Sequence, residues 1–210
     1  MAAPSSTLTG TTGNDILNSP GSVTALVAGL EGNDTISLAL GDDDANAGKG
    51  ADQITTIFNG TVSNKINAGA GNDTLRVLSA VTYGGNAQLG AGDDSVFLTA
   101  GIFNGGILSG NQDNDIIRVG VQSVNGFVGG GQGADSVVFS TNSTHANTTL
   151  FGGKGADTLR INGTGAYTTS TIQASDGHDR VFVTAAAVFN QNSVIALGKG
   201  SDSLQIGANA

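Results

Sequence analysis

Apolar residues recur in a fixed frame around an acidic residue, with no helical spacing. Two positions after each such Asp stands an aliphatic: Leu17, Ile36, Ile54, Leu75, Val96, Ile117, Val137, Leu159, Val181 and Leu204. Four after it, eight of ten residues are apolar, with Ser19 and Thr56 the exceptions. The residues between are mostly Thr, Ser, Arg or Gln, which is the in-and-out alternation of a strand. A second aliphatic column lies seven before the Asp, at Leu8, Val27, Ala45, Ile66, Ala87, Leu108, Val128, Leu150, Ile172 and Ile195.

The acidic frame is Asp15, Asp34, Asp52, Asp73, Asp94, Asp115, Asp135, Asp157, Asp179 and Asp202. Successive steps are 19, 18, 21, 21, 21, 20, 22, 22 and 23 residues, a solenoid period. Gly stands two before the Asp in nine copies, Asp113 being the exception, and four before it in six. Alternate glycines let a chain turn tightly through positive φ. The expected fold is all-β: a parallel β-solenoid of about ten coils, about 21 residues each. Each coil should hold a short strand, a Gly-Asp turn, a second short strand and a looser return. Stacked at ~4.8 Å, ten coils give a rod of roughly 48 Å. Residues 1–210 are expected to form one domain, with no capping helix.

Composition narrows the chemistry. The 17 acids exceed the 8 bases, giving a net charge of −9, so phosphate backbones and anionic membranes are poor partners and cations are plausible ones. There is no Cys, which removes disulfides and thiolate metal sites. No stretch nears the ~20 apolar residues of a membrane helix.

One unit, "GGKGADTLR" at 152–160, matches G-G-x-G-x-D-x-U-x, with U a large aliphatic, at every position. The chain resembles the RTX (repeats-in-toxin) nonapeptide family over essentially its whole length. That resemblance implies a calcium-loaded parallel β-roll, with ions between successive turns. Its ligands would be carboxylate oxygens of the ten aspartates above and carbonyls of the Gly-rich loop. It also implies a bacterial exoprotein exported unfolded and folded by external calcium. There are two departures. Thr11, Leu30, Asn111 and Ser175 replace the second Gly, and only one side of each coil carries the motif. One row of sites is therefore expected.

Stacking independently brings the carboxylates to about 5 Å, where neighbours repel by ~0.8 kcal/mol in water and ~3 kcal/mol at a surface-like dielectric. Cations, protons or hydrogen bonds must hold such a ladder. Glu31, Asp93, Asp113 and Asp176 fall in the same turns, so 14 of the 17 acids flank the row, and only Asp42, Asp43 and Asp44 lie on the return. The competing reading is an Asx-type turn bonding nearby amides, with Lys49, Lys154 and Lys199 in partial neutralisation.

Catalysis finds little support, although parallel solenoids can carry an Asp/Arg cleft, and the chain is not expected to be an enzyme. His145 and His178 are far apart, and no G-x-S-x-G, P-loop or H-E-x-x-H is present. His178 precedes a motif Asp and is expected at the surface. Arg76, Arg118 and Arg160, three after their Asp, are expected on the outward face as a solvated surface or a contact patch.

At the ends, no amphipathic helix precedes Leu8 or follows Ile206. Leu8 and Leu17, and Leu204 and Ile206, are expected to face solvent in a monomer. Solenoids usually cover such ends. A head-to-tail contact between unlike ends propagates into a filament. The expectation is a secreted calcium-binding structural protein, extracellular or on the cell surface, that self-assembles into a filament or surface layer. The alternative is a calcium-folded module of an adhesin or exoprotein. The start "MAAPSSTLTG" lacks a signal-peptide pattern, and only "GANA" follows the last strand.

Overall fold

A computed structural model of the chain describes residues 6–57, 60–78, 82–140, 142–184 and 186–207. The first residues of the "MAAPSSTLTG" start and the last three of the "GANA" tail lie outside them. All regular elements among the described residues are strands, and all pairs are parallel neighbours one coil apart. No helix among them is long and apolar enough to cross a membrane. The chain is a parallel β-solenoid.

The strands form two ten-stranded sheets and one seven-stranded sheet. The approach sheet runs into the Gly-Asp turns, as in Lys65–Ala70. The exit sheet leaves them, as in Thr74–Val77. Register follows the sequence frame: Leu75 pairs with Ile54 on one side and Val96 on the other, and Ile66 with Ala45 and Ala87. Stacking like on like keeps one apolar column per face dry. The exit column from Ile36 to Val181 is no more than 1% exposed.

The return differs from expectation. It carries a third, seven-stranded sheet, beginning at Thr61–Val62 and ending at Val188–Asn190. Coil length is the reason. The first two steps are 19 and 18 residues, enough for two faces; the later steps of 20 to 23 supply a third edge. The third sheet points a stacked column inward: Val62, Tyr83 and Phe103 early, His145, Tyr167 and Phe189 late. Tyr167 stacks between His145 and Phe189 at 4.6 and 5.1 Å. His145 is therefore a core ring. Its Nδ1 accepts the Ser123 amide, and burial lowers its pKa to about 4, so it is neutral at pH 7.

Asp43 marks the change from two faces to three. It is fully buried, and its carboxylate accepts from the Ser19 hydroxyl and the Ala25 and Leu40 amides. Three donors offset the desolvation that an unpaired buried carboxylate could not bear. On the outward exit face, the Arg76 and Arg118 guanidinium groups lie 5.0 and 5.9 Å from the Phe97 ring centre, and Arg160 lies 4.2 Å from Phe182. Arg76 and Arg118 are exposed on the outward face, as expected, and all three arginines lie over outward aromatic rings.

The two end coils are unequal, which corrects one expectation. Leu204 and Ile206 are exposed, at 41% and 65%, but Leu17 is buried and Leu8 half-buried. The first coil is narrow, so Leu8 on the approach strand packs against the same core cluster that holds Leu17.

Candidate metal centre

The regular turn is built by two glycines on alternate residues. In the fourth turn Gly69 and Gly71 take φ of 117° and 125°. A Cβ on either would land on a backbone carbonyl of the preceding coil, Gly48 and Gly50 respectively. Leu30, Asn111 and Ser175 nevertheless hold φ of 87°, 83° and 90° at the second-Gly position, and Asp113 holds 68° at the third. The degenerate copies therefore keep the turn, with backbone strain that glycine would not carry.

The turn aims its Asp side chain inward. Asp34, Asp52, Asp73, Asp94, Asp115, Asp135, Asp157 and Asp179 are 1–2% exposed; Asp15 and Asp202, in the end coils, are half-buried. All ten stand in one ladder. Each Oδ1 from Asp34 to Asp202 accepts the backbone N–H of the Asp one coil earlier, at 2.7–3.0 Å. This is the expected amide bonding, but across coils rather than within a turn. It uses one oxygen only. In the eight buried aspartates Oδ2 has no hydrogen-bond partner. Asp15 differs, because its Oδ2 accepts the Thr11 amide and hydroxyl at 2.6 and 2.9 Å.

Buried carboxylates without solvent resist ionisation. Burial first, then neighbouring aspartates, raise Asp115 to about 8 and Asp73 and Asp157 to about 7, against the opposing hydrogen bond from the preceding Asp amide. Asp94 and Asp135 rise to about 6, again mainly by burial. At neutral pH the ladder has to take up protons or cations to stay buried.

The donor set fits a hard cation. No three His, Cys, Asp or Glu side chains gather at one place among the described residues, so side chains alone cannot enclose an ion. Backbone carbonyls, however, face the same spaces. Asp157 Oδ2 and the Ala174 carbonyl of the next coil both lie close beside Gly152, where a Cβ would collide with them. Carboxylate and carbonyl oxygens at about 2.3–2.6 Å are what calcium takes, six to eight at a time. Asp34 to Asp179 could each give one free oxygen; Asp15 has its own spent on Thr11, and Asp202 closes the row.

A second ladder, unforeseen in the sequence, runs outside the first with opposite polarity. Asn14 Oδ1 accepts the Asn33 amide, Asn33 that of Ala51, and Asn114 that of Ala134. His178 joins it, exposed as expected, by accepting the Ser201 amide. The Asn column preceding the Asp was the available signal. Among the flanking charges, Lys49 pairs with Glu31 at 2.8 Å and Lys199 with Asp176 at 3.4 Å. Those two lysines meet neighbouring acids on the surface rather than the buried row.

Four copies of the RTX calcium-binding nonapeptide repeat match this chain, at residues 5–19, 26–54, 59–77 and 146–160. They contain Asp15, Asp34, Asp52, Asp73 and Asp157, while the other five ladder positions share the geometry outside the matched segments. No curated protein matches the chain. The chain carries the RTX repeat, whose copies bind calcium ions, in register along a parallel β-solenoid.

Proposed function

We propose that calcium binds along the aspartate ladder and locks the coils together, making the protein a calcium-hardened structural rod. The observation that carries this reading is the set of eight buried Oδ2 atoms without a partner. Unfolded, the ladder does not exist, so binding free energy becomes folding free energy. Circular dichroism and thermal melting in calcium and in chelator test it. The expected result is a strand spectrum and a raised Tm with calcium; identical melts in both would end the reading.

The rod is proposed to act outside the cell, since RTX repeat proteins are typically exported bacterial proteins. Its proposed partner is a second copy, stacked head to tail. The ladder is directional: Asp202 supplies the next amide donor and Asp15 the next carboxylate acceptor. The exposed Leu204 and Ile206 would gain cover in such a joint. An end-to-end contact of unlike surfaces does not close, and so gives filaments or a layer. Negative-stain microscopy and light scattering in calcium should show rods longer than one chain. Monodisperse monomers would instead favour a calcium-folded module within an adhesin or exoprotein.

A further inference from the structure

The outward face of the exit sheet carries charge of one sign. All four arginines of the chain, Arg76, Arg118, Arg160 and Arg180, stand on it, whereas none of its ten strands holds an Asp or Glu. On a chain of net charge −9 this is a segregated positive strip, because the acids crowd the turns and the return. Among the described residues the ion pairs use Lys49 and Lys199, and no arginine has an acidic partner.

Strand pairing puts Arg76, Phe97, Arg118, Val138, Arg160 and Phe182 in one outward column, one residue per coil. Arginine therefore returns every second coil, at a spacing of ~9.6 Å for strands ~4.8 Å apart. The rings hold the guanidinium groups: Phe97 serves both Arg76 and Arg118, its neighbours on either side in the column, and Phe182 serves Arg160. A guanidinium held by its face over a ring keeps its N–H edge free for a carboxylate. Arg180 stands beside this column, in register with Thr158 and Ser203.

We propose that this face binds a linear acidic polysaccharide laid along the rod axis, with carboxylates on alternate sugars meeting Arg76, Arg118 and Arg160 in turn. A sugar advances its chain by about the rise of one coil, so alternate carboxylates keep step with arginines two coils apart. Ser95 and Ser136, half-buried in the neighbouring outward column, offer hydroxyls to the neutral sugars between. Nucleic acid fits less well. A duplex carries one charge per ~1.7 Å, several times denser than the arginines, and its excess phosphates would lie unpaired against an acidic chain. The surface needs only the stacking of the coils, so it stands apart from how the buried aspartates are satisfied.

Isothermal titration calorimetry of the full chain in calcium, with hyaluronan oligomers as the probe, tests this, because hyaluronan alternates a glucuronate with a neutral sugar. Saturable binding is expected, weakened roughly tenfold by each of Arg76→Gln, Arg118→Gln and Arg160→Gln, the size of one charge-assisted contact. Phe97→Leu keeps both charges but frees the two guanidinium groups, and should weaken binding several-fold. These side chains point outward, so the variants should keep the strand spectrum, which circular dichroism checks. No binding by the wild type overturns the proposal, and so does equal affinity in the variant lacking all three arginines. Single-stranded DNA bound as tightly as hyaluronan overturns the choice of a sparsely charged partner, and dextran bound as tightly overturns the role of charge.

Discussion

Replacing Asp115 with Asn should change stability with opposite signs in the two calcium states. The amide keeps its Oδ1, so the bond from the Asp94 N–H at 2.9 Å survives. What changes is the inner atom: a buried oxygen that has no partner becomes an uncharged NH2. Without calcium this relieves a cost. Burial lifts Asp115 from 3.8 to about 8, so at pH 7 the fold must protonate a group that is ionised when unfolded. Between 3.8 and 7 that amounts to about 4 kcal/mol at 1.36 kcal/mol per pH unit. Solvent screening at the turn leaves on the order of 2 kcal/mol of expected stabilisation. With calcium at 100 times its Kd, a lost site forfeits about 2.7 kcal/mol. Denaturant unfolding followed by circular dichroism at pH 7, in chelator with an osmolyte and in calcium, measures both. The substitution should stabilise in the first and destabilise in the second. The same sign in both conditions would refute the division of each carboxylate into a structural oxygen and a ligand oxygen.

Three further outcomes follow from the geometry. The calcium-free protein should be more stable in acid. The raised carboxylates contribute fully below about 3.8, and that contribution is lost as pH rises through 6 to 8; melts in chelator should show Tm falling from pH 4.5 to pH 8, and a rise would contradict burial as the cause. Gly71→Ala, which combines φ of 125° with collision against the Gly50 carbonyl, should cost roughly 2–4 kcal/mol, whereas Gly105→Ala, at φ 74° with open space around it, should cost about 1; equal losses in denaturant midpoints would show that stacking contact is not the reason for the glycine. Asp43→Ala should cost about 3 kcal/mol, because the Ser19 hydroxyl and the Ala25 and Leu40 amides lose their acceptor; its calcium count should be unchanged, since Asp43 lies on the return, away from the ladder.

The sequence by itself determined the period, the register and the row of acids. A repeat written ten times with aliphatics at the same offsets can bury them only by stacking coil on coil, and that stacking brings Asp34 beside Asp52 whatever else happens. Two-fold alternation around Leu75 and Val77 also told which face is inward. It did not tell how each carboxylate divides its oxygens. That depends on an amide one coil away reaching Oδ1 and nothing reaching Oδ2, a matter of ångströms between backbones that no spacing encodes. Nor did it reveal the third sheet, whose residues, such as Thr82–Tyr83 and Ile102–Asn104, are too few per coil to show alternation until neighbouring coils pair them. Leu17 looked as open as Ile206, yet only the narrow first coil folds Leu8 against the core that shelters it. Repetition fixes what lies above and below each residue; what lies across the coil is decided by coil width, and that exists only in the folded cross-section.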